Sequence, residues 1–192
     1  MPPSIIQTDT IKDASATNTL VEQSGSDWKW GSGTPAGTMH NCVSMQKRDA
    51  VSSGAISGVP VDISGMTLDI TPTSTTSKVL ILVSLNIGAQ ADSYPAFVIV
   101  RDSTTLPINT TVGTGTEVMF SGATVSSHSS ANEQINFHYL DSPNKNTSTT
   151  YKIQWRAMST TTRTIKLNQA HTLADDNQTL GTSTLTLIEV AG

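Results

Sequence analysis

The chain has 192 residues, a formal net charge of -4 and 14% charged side chains, against about 25% in an ordinary globular protein. An acidic balance whose one close basic pair is Lys47-Arg48 argues against nucleic-acid binding, and a single cysteine, Cys42, excludes an intrachain disulfide and a four-cysteine zinc site. No apolar run reaches membrane-spanning length, and the opening MPPSIIQTDTIKD lacks the basic-then-apolar pattern of a secretory signal.

From the N-terminus, residues 1–39 read as an extended arm. Their apolar patches, Ile5-Ile6 and Leu20-Val21, sit in polar sequence and cannot build a core, and Asp9–Glu22 is too poorly periodic for an amphipathic helix. Trp28 and Trp30, in SDWKWGSG, stand two apart, so both rings share a face if the segment is extended. Ile5, Ile6, Leu20, Val21, Trp28 and Trp30 are therefore the candidate attachment residues, covered either by the body of the domain or by a partner chain. Stacking of the two tryptophans on sugar rings is the alternative.

From residue 40 onward, strand-like segments alternate with Gly, Pro, Asn, Asp and Ser/Thr clusters. The predicted strands are His40–Lys47, Val61–Ile70, Lys78–Gly88, Ala96–Arg101, Thr116–Val125, Gln134–Leu140, Thr149–Ala157, Arg163–Gln169 and Ser183–Val190. In Thr149–Ala157, Tyr151, Ile153 and Trp155 fall on one face and Lys152, Gln154 and Arg156 on the other, the mark of a half-buried antiparallel strand. Leu185 and Leu187 alternate in the same way near the C-terminus. The run VLILVSLNI reads as a central strand covered on both sides, and residues 50–60 read as a flexible connection within the domain. Leu80, Leu82, Phe97, Phe137, Tyr151, Ile153, Trp155, Leu185 and Leu187 make up the expected core.

More than a quarter of the residues are Ser or Thr, and the branched β-carbon of Thr favours strands over helices. A chain of this length buries roughly 70% of the surface its unfolded form exposes, enough for one core without covalent staples. The fold expected is all-β: an antiparallel β-sandwich or jelly roll of about nine to ten strands, residues 40–192, behind an N-terminal arm of residues 1–39. A surface kept soluble by hydroxyls suits a particle outside a cell, or a subunit packed against its own copies.

Several phrases carry a family likeness. SIIQTDTIKDASATNTLVE (4–22), DITPTSTTSKVLILVSLNI (69–87), FVIVRDSTTL (97–106), SPNKNTSTTYKIQWRA (142–157) and TSTLTLIEVAG (182–192) resemble structural proteins of tailed bacteriophages, especially marine and cyanobacterial phages. In that group such chains occur as tail-fibre, tail-tip or head-decoration proteins. The resemblance implies a homotrimeric jelly roll similar in outline to the complement and tumour necrosis factor fold. It also implies assembly in the host bacterial cytoplasm, residence in the virion, and contact with other virion proteins through residues 1–39.

No pattern of catalysis or metal binding emerges. His40, His128, His138, His171 and Cys42 are the candidate transition-metal ligands, but His40-x-Cys42 and His138-x-x-Asp141 are too sparse for a four-ligand zinc site. Asp175-Asp176-Asn177 lacks the spaced acids of a calcium loop and reads as a solvated turn. There is no Gly-x-Ser-x-Gly elbow, and the acids fall mostly in turns, as at Asp92, Asp102 and Asp141. Asn109, Asn146 and Asn177 match the glycosylation pattern at a frequency that the Thr content supplies by chance. The expectation is a non-enzyme with no cofactor, no metal, no nucleic-acid partner and no membrane insertion.

Three roles compete. A tail-fibre or tip module would turn loops 88–95, 109–116, 126–133 and 141–148 towards host-surface glycans. A capsid decoration or cement protein would need no receptor. A stand-alone carbohydrate-binding module would need exposed aromatics, of which the chain has few: three Trp, three Tyr and three Phe in all.

Overall fold

The structure, a computed structural model, describes residues 10–12, 19–24, 27–30, 35–106, 120–121, 131–159, 161–172 and 180–192. Among these every regular element is a strand. Near the N-terminus, β1 (Thr10–Lys12), β2 (Thr19–Ser24) and β3 (Asp27–Trp30) form a small antiparallel sheet of their own. The arm is thus paired within itself, with Val21 opposite Trp30 and Gln23 opposite Trp28.

The body contains β4 (Met39–Lys47), β5 (Val51–Ser52), β6 (Val61–Ile70), β7 (Lys78–Ala89), β8 (Pro95–Arg101), β9 (Thr104–Thr105) and β10 (Phe120–Ser121). It is completed by β11 (Glu133–Asp141), β12 (Thr149–Ala157), β13 (Ile165–Leu167) and β14 (Ser183–Val190). Sheet I runs β4-β14-β7-β11, with β13 and β5 continuing beside the end of β7. Sheet II runs β6-β12-β8-β10, with β9 also on β8. Counting β4, β6, β7, β8, β10, β11, β12 and β14 as first to eighth, the sheets read 1-8-3-6 and 2-7-4-5. That crossing pattern is jelly-roll connectivity, in which each strand passes to the other sheet except between the fourth and fifth, β8 and β10, which pair directly.

Alternation explains why the two sheets close on each other. Along β12 and β14 every second residue is buried, so Tyr151, Ile153 and Trp155 meet Leu185 and Leu187 in one core. Phe97 on sheet II stacks against Phe137 on sheet I with ring centroids 6.1 Å apart. Phe97 is buried, whereas Phe137 is half-buried and packs on the rim of the core. Full burial of side chains this large contributes about 2–3 kcal/mol each, offset by the entropy of ordering them.

Three expectations need correction. The run VLILVSLNI in β7 is central in its sheet but is covered on one side only: Val79, Ile81, Val83 and Leu85 are buried, while Leu82 is 39% exposed and Leu80 half-buried. Leu80 and Leu82 are therefore not core residues, because they point away from sheet II. The strand enclosed on both faces is β8, where Ala96, Val98 and Val100 are buried on the side opposite core-facing Phe97 and Ile99. Residues 50–60 are tied down as well: β5 pairs with β13, and Ile56 is buried while its backbone exchanges two hydrogen bonds with Arg163.

Candidate functional site

Strand direction gives the body two distinct ends. At the proximal end, residues 35–38 lead into β4, β14 finishes, and the turns 71–77 and 142–148 lie. At the distal end lie the connections 48–60, 90–94 and 158–164. The loops expected to act together are therefore divided. Loop 88–95 and residues 131–133 are distal, whereas 141–148 is proximal, beside the point where the arm joins the body. Residues 109–116 and 126–130 lie outside the described residues.

The proximal end is held by buried polar groups. The Glu189 carboxylate, fully buried, accepts through Oε1 from the Thr73 amide (2.7 Å), the Thr73 hydroxyl (2.6 Å) and the Ser77 hydroxyl (2.7 Å). His40 Nδ1 lies 3.0 Å from the Thr73 hydroxyl, which already donates to Glu189, so the ring nitrogen is the donor. Nearby, Gly37 donates to the Ala191 carbonyl and Ala191 donates to the Thr38 carbonyl, each at 2.8 Å, extending the β4–β14 ladder into the arm. A second tie joins the sheets: Arg101 Nη1 on β8 lies 2.8 Å from both oxygens of Asp141 on β11.

The outer face of sheet I differs in chemistry from that of sheet II. On sheet I, cross-strand partners form rows: Leu140, Leu80, Ile188 and Cys42, then His138, Leu82, Thr186 and Ser44, then Asn136, Ser84, Thr184 and Gln46. Among the described outward positions of its four long strands, Lys78 is the one Lys, Arg, Asp or Glu. Leu140 is 49% exposed and Met39, at the edge of the same face, 65%. A depression of about 260 Å³ opens beside Leu82, floored by Val83 and Phe137 and rimmed by Ser84, Asn136, His138 and Thr184. The outer face of sheet II instead carries Asp62, Asp69, Lys152 and Arg156. Lys152 and Gln154 hold the Asp62 carboxyl below the usual carboxylate range.

The proposed attachment residues divide by what the structure describes. Leu20 and Val21 are in β2, and Trp28 and Trp30 in β3; Val21 is half-buried, and Ile5 and Ile6 lie outside the described residues. So do His128, Asn109, Asp175, Asp176 and Asn177. The described histidines, His40, His138 and His171, do not converge. His40 turns inward to Glu189 while Cys42 is exposed, and His138 is on the outer face of sheet I while Asp141 is buried. Burial, with some help from Lys166, lowers the His171 pKa. Among the described residues no three of His, Cys, Asp and Glu are grouped as metal ligands. The neutral face was missed in sequence because Leu80 and Leu82 look like core residues; the cue was Lys78, Ser84 and Asn86, which share their face of β7.

No known family profile matches the chain, and no curated protein matches it either. Among solved structures it is similar to the VP2 subviral particle of infectious bursal disease virus, at 13% identity and a TM-score of 0.39, over 79% of this chain and 37% of that one. It is similar also to the Gt strain of that virus (12%, TM-score 0.41, 91% of this chain and 44% of that one). The Gx strain matches at 11%, with a TM-score of 0.40, over 90% of this chain and 43% of that one. The chain spans less than half the length of those proteins, and a likeness this distant transfers no function.

Proposed function

We propose that the chain is a structural subunit of a virus particle, a homotrimeric tail-fibre or tail-tip module of a tailed phage. Residues 1–39 join it to other virion proteins, sheet I turns towards neighbouring copies, and the distal connections face the host. The observation that carries this reading is the contrast between the two outer faces. A four-strand face with a single formal charge and an exposed apolar row has little to gain from water, whereas the β6–β12 part of the sheet II face carries exposed Asp62 and Asp69. A neighbouring copy suits the neutral face, because its hydroxyl, amide and leucine groups can be covered without desolvating charge. The family phrases in the sequence and the position of the arm at the proximal end support the same arrangement.

The flat area of sheet I is about 500 Å² from strand spacing and rise. A standard interface buries about 800 Å² per partner, so this face supplies a large part of a subunit contact and the arm supplies more. Mass spectrometry and immunogold labelling of purified particles test the reading. The chain should appear in stoichiometric amount at the tail. Labelling over the shell would identify a capsid decoration protein instead, and absence from particles would overturn the virion role.

A further inference from the structure

The distal corner of sheet II carries an arginine whose chemistry is unspent. Arg156, near the end of β12, points outward opposite Ala96, and its Nη2 lies 3.1 Å from where a side chain on Gly58 would begin. The absent side chain at Gly58 is what lets the guanidinium settle there. Arg156 Nε is buried with no acceptor, and the side chain forms no ion pair with a described carboxylate. Of the two acids on the same sheet face, the one nearer along the strands, Asp62, is already engaged by Lys152 at 2.8 Å and Gln154 at 2.6 Å. Burial lowers the Arg156 pKa, as expected for a charge with no counter-ion.

Tyr94 belongs to the same corner of the fold. The Tyr94 carbonyl accepts from the Met158 amide at 3.0 Å, which places Tyr94 across from the end of β12, two residues beyond Arg156. Tyr94 is 41% exposed, and both it (φ 43°) and Asp92 (φ 58°) adopt the left-handed conformation uncommon outside glycine. The turn that holds them is pinned: Ser93 is buried and donates to the Gln90 carbonyl, and Gln90 donates to the Thr164 carbonyl, each at 3.1 Å. Strained residues held by their surroundings are often retained for function. Next to Gly58, Val59 is 71% exposed. Arg163, whose Nε is likewise buried without an acceptor, pairs by backbone with Ile56 and adds a second cation to this corner.

We propose that Arg156 and Tyr94 form a subsite for an acidic saccharide. The guanidinium takes the sugar's carboxylate or phosphate in a two-pronged hydrogen bond, and the Tyr94 ring packs on the apolar face of the sugar. Arg163 strengthens the local positive field. The assignment depends on the virion reading for one thing, that the distal end faces outward, and it gives that end a ligand class.

Calorimetric or NMR titration of the full chain tests it with three probes: oligogalacturonate, its methyl ester, and glucose 6-phosphate. The carboxylate oligomer should bind and its neutral ester should not. Binding of the phosphate alone would assign the same subsite to a phosphorylated sugar. Arg156→Gln and Tyr94→Ala should each weaken binding tenfold or more. Arg156→Lys should recover part of the affinity, and Lys78→Gln, at the proximal end of sheet I, should change nothing. The Arg156 side chain makes no hydrogen bond to a described residue, so its variants should remain folded. Equal binding of acid and ester, wild-type affinity in Arg156→Gln, or no binding of any probe would overturn the subsite. A chain found in particles that binds none of the probes would sink the subsite alone and leave the virion role standing.

Discussion

Tyr151 on sheet II donates its hydroxyl to Asp141 Oδ2 on sheet I at 2.7 Å, and the same carboxylate is held by Arg101. The three groups close the proximal end of the sandwich, with Tyr151 and Asp141 both buried. Burial, and then the hydrogen bond and charge of Asp141, push the Tyr151 pKa up. In the unfolded chain the phenol ionises near about 10, whereas the folded chain retains its proton. Above that pH the unfolded state binds fewer protons, so this group's contribution to stability is complete below about pH 10 and falls above it, by up to about 1.4 kcal/mol per pH unit. Tyr151→Phe should cost about 1–2 kcal/mol at neutral pH. Urea unfolding at pH 7 and at pH 11 should show the gap between wild type and variant narrowing; a constant gap would place the phenol in water.

Asn168 fastens the distal end. Its φ of 61° is left-handed, which Asn tolerates better than most residues. Its side chain donates to the Lys47 and Asp49 carbonyls, at 3.0 Å each, and accepts from the Ser183 hydroxyl at 2.7 Å. Asn168→Ala leaves buried acceptors unpaired and a β-carbon in a strained conformation, for an expected loss of about 2–4 kcal/mol. Ser183→Ala removes less and should cost about 1 kcal/mol. A smaller effect in Asn168→Ala than in Ser183→Ala, by chemical denaturation, would contradict this ranking.

Trp155 is 1% exposed between the sheets. Trp155→Ala should destabilise by about 3–5 kcal/mol, the cost of losing a large buried ring and leaving a cavity. A change under about 1 kcal/mol in the same assay would mean that the ring is not part of the core.

These sites differ in how far the sequence reveals them. The bounds of β6, β12 and β14 are those expected; in β12 and β14 strict alternation of apolar and polar residues admits one register only, whereas β6 is delimited by the Gly, Pro and Thr that flank it. In β7 the alternation fails, since Leu80 and Leu82 stand on the face opposite Ile81 and Val83. An apolar residue on an open face reads the same as one under a second layer, so the neutral face of sheet I was hidden in what looked like core. The two-residue strands β5 and β9 are too short to show a period. The approach of Arg156 to Gly58, and of Tyr94 to the end of β12, depends on how three connections fold back at one corner, which local sequence does not encode.

The arm should be separable from the body. Gly37 and Thr38 bond to Ala191, so a deletion of residues 1–34 keeps the β4–β14 ladder complete where one of residues 1–39 trims it. The shorter deletion should give a soluble, cooperatively unfolding body that no longer enters particles. Aggregation of that variant would show that the arm covers part of the core.

Leu82 and Leu140 provide the means to break the proposed contact without touching the core. Both are well exposed, so Leu82→Glu and Leu140→Glu should alter monomer stability by no more than about 0.5 kcal/mol. A buried unpaired carboxylate at the subunit contact should nevertheless dissociate the assembly. Cys42, exposed in the same row as Leu140, reports on it directly: its reaction with a maleimide should slow as protein concentration rises.

Native mass by light scattering behind a sizing column, with wild type and Leu140→Glu run side by side, tests the central claim most directly. The account predicts a mass of three chains for wild type and of one chain for the variant. A monomeric wild type at every concentration, or a trimer that Leu140→Glu leaves intact, would contradict the assignment of sheet I as the face between copies.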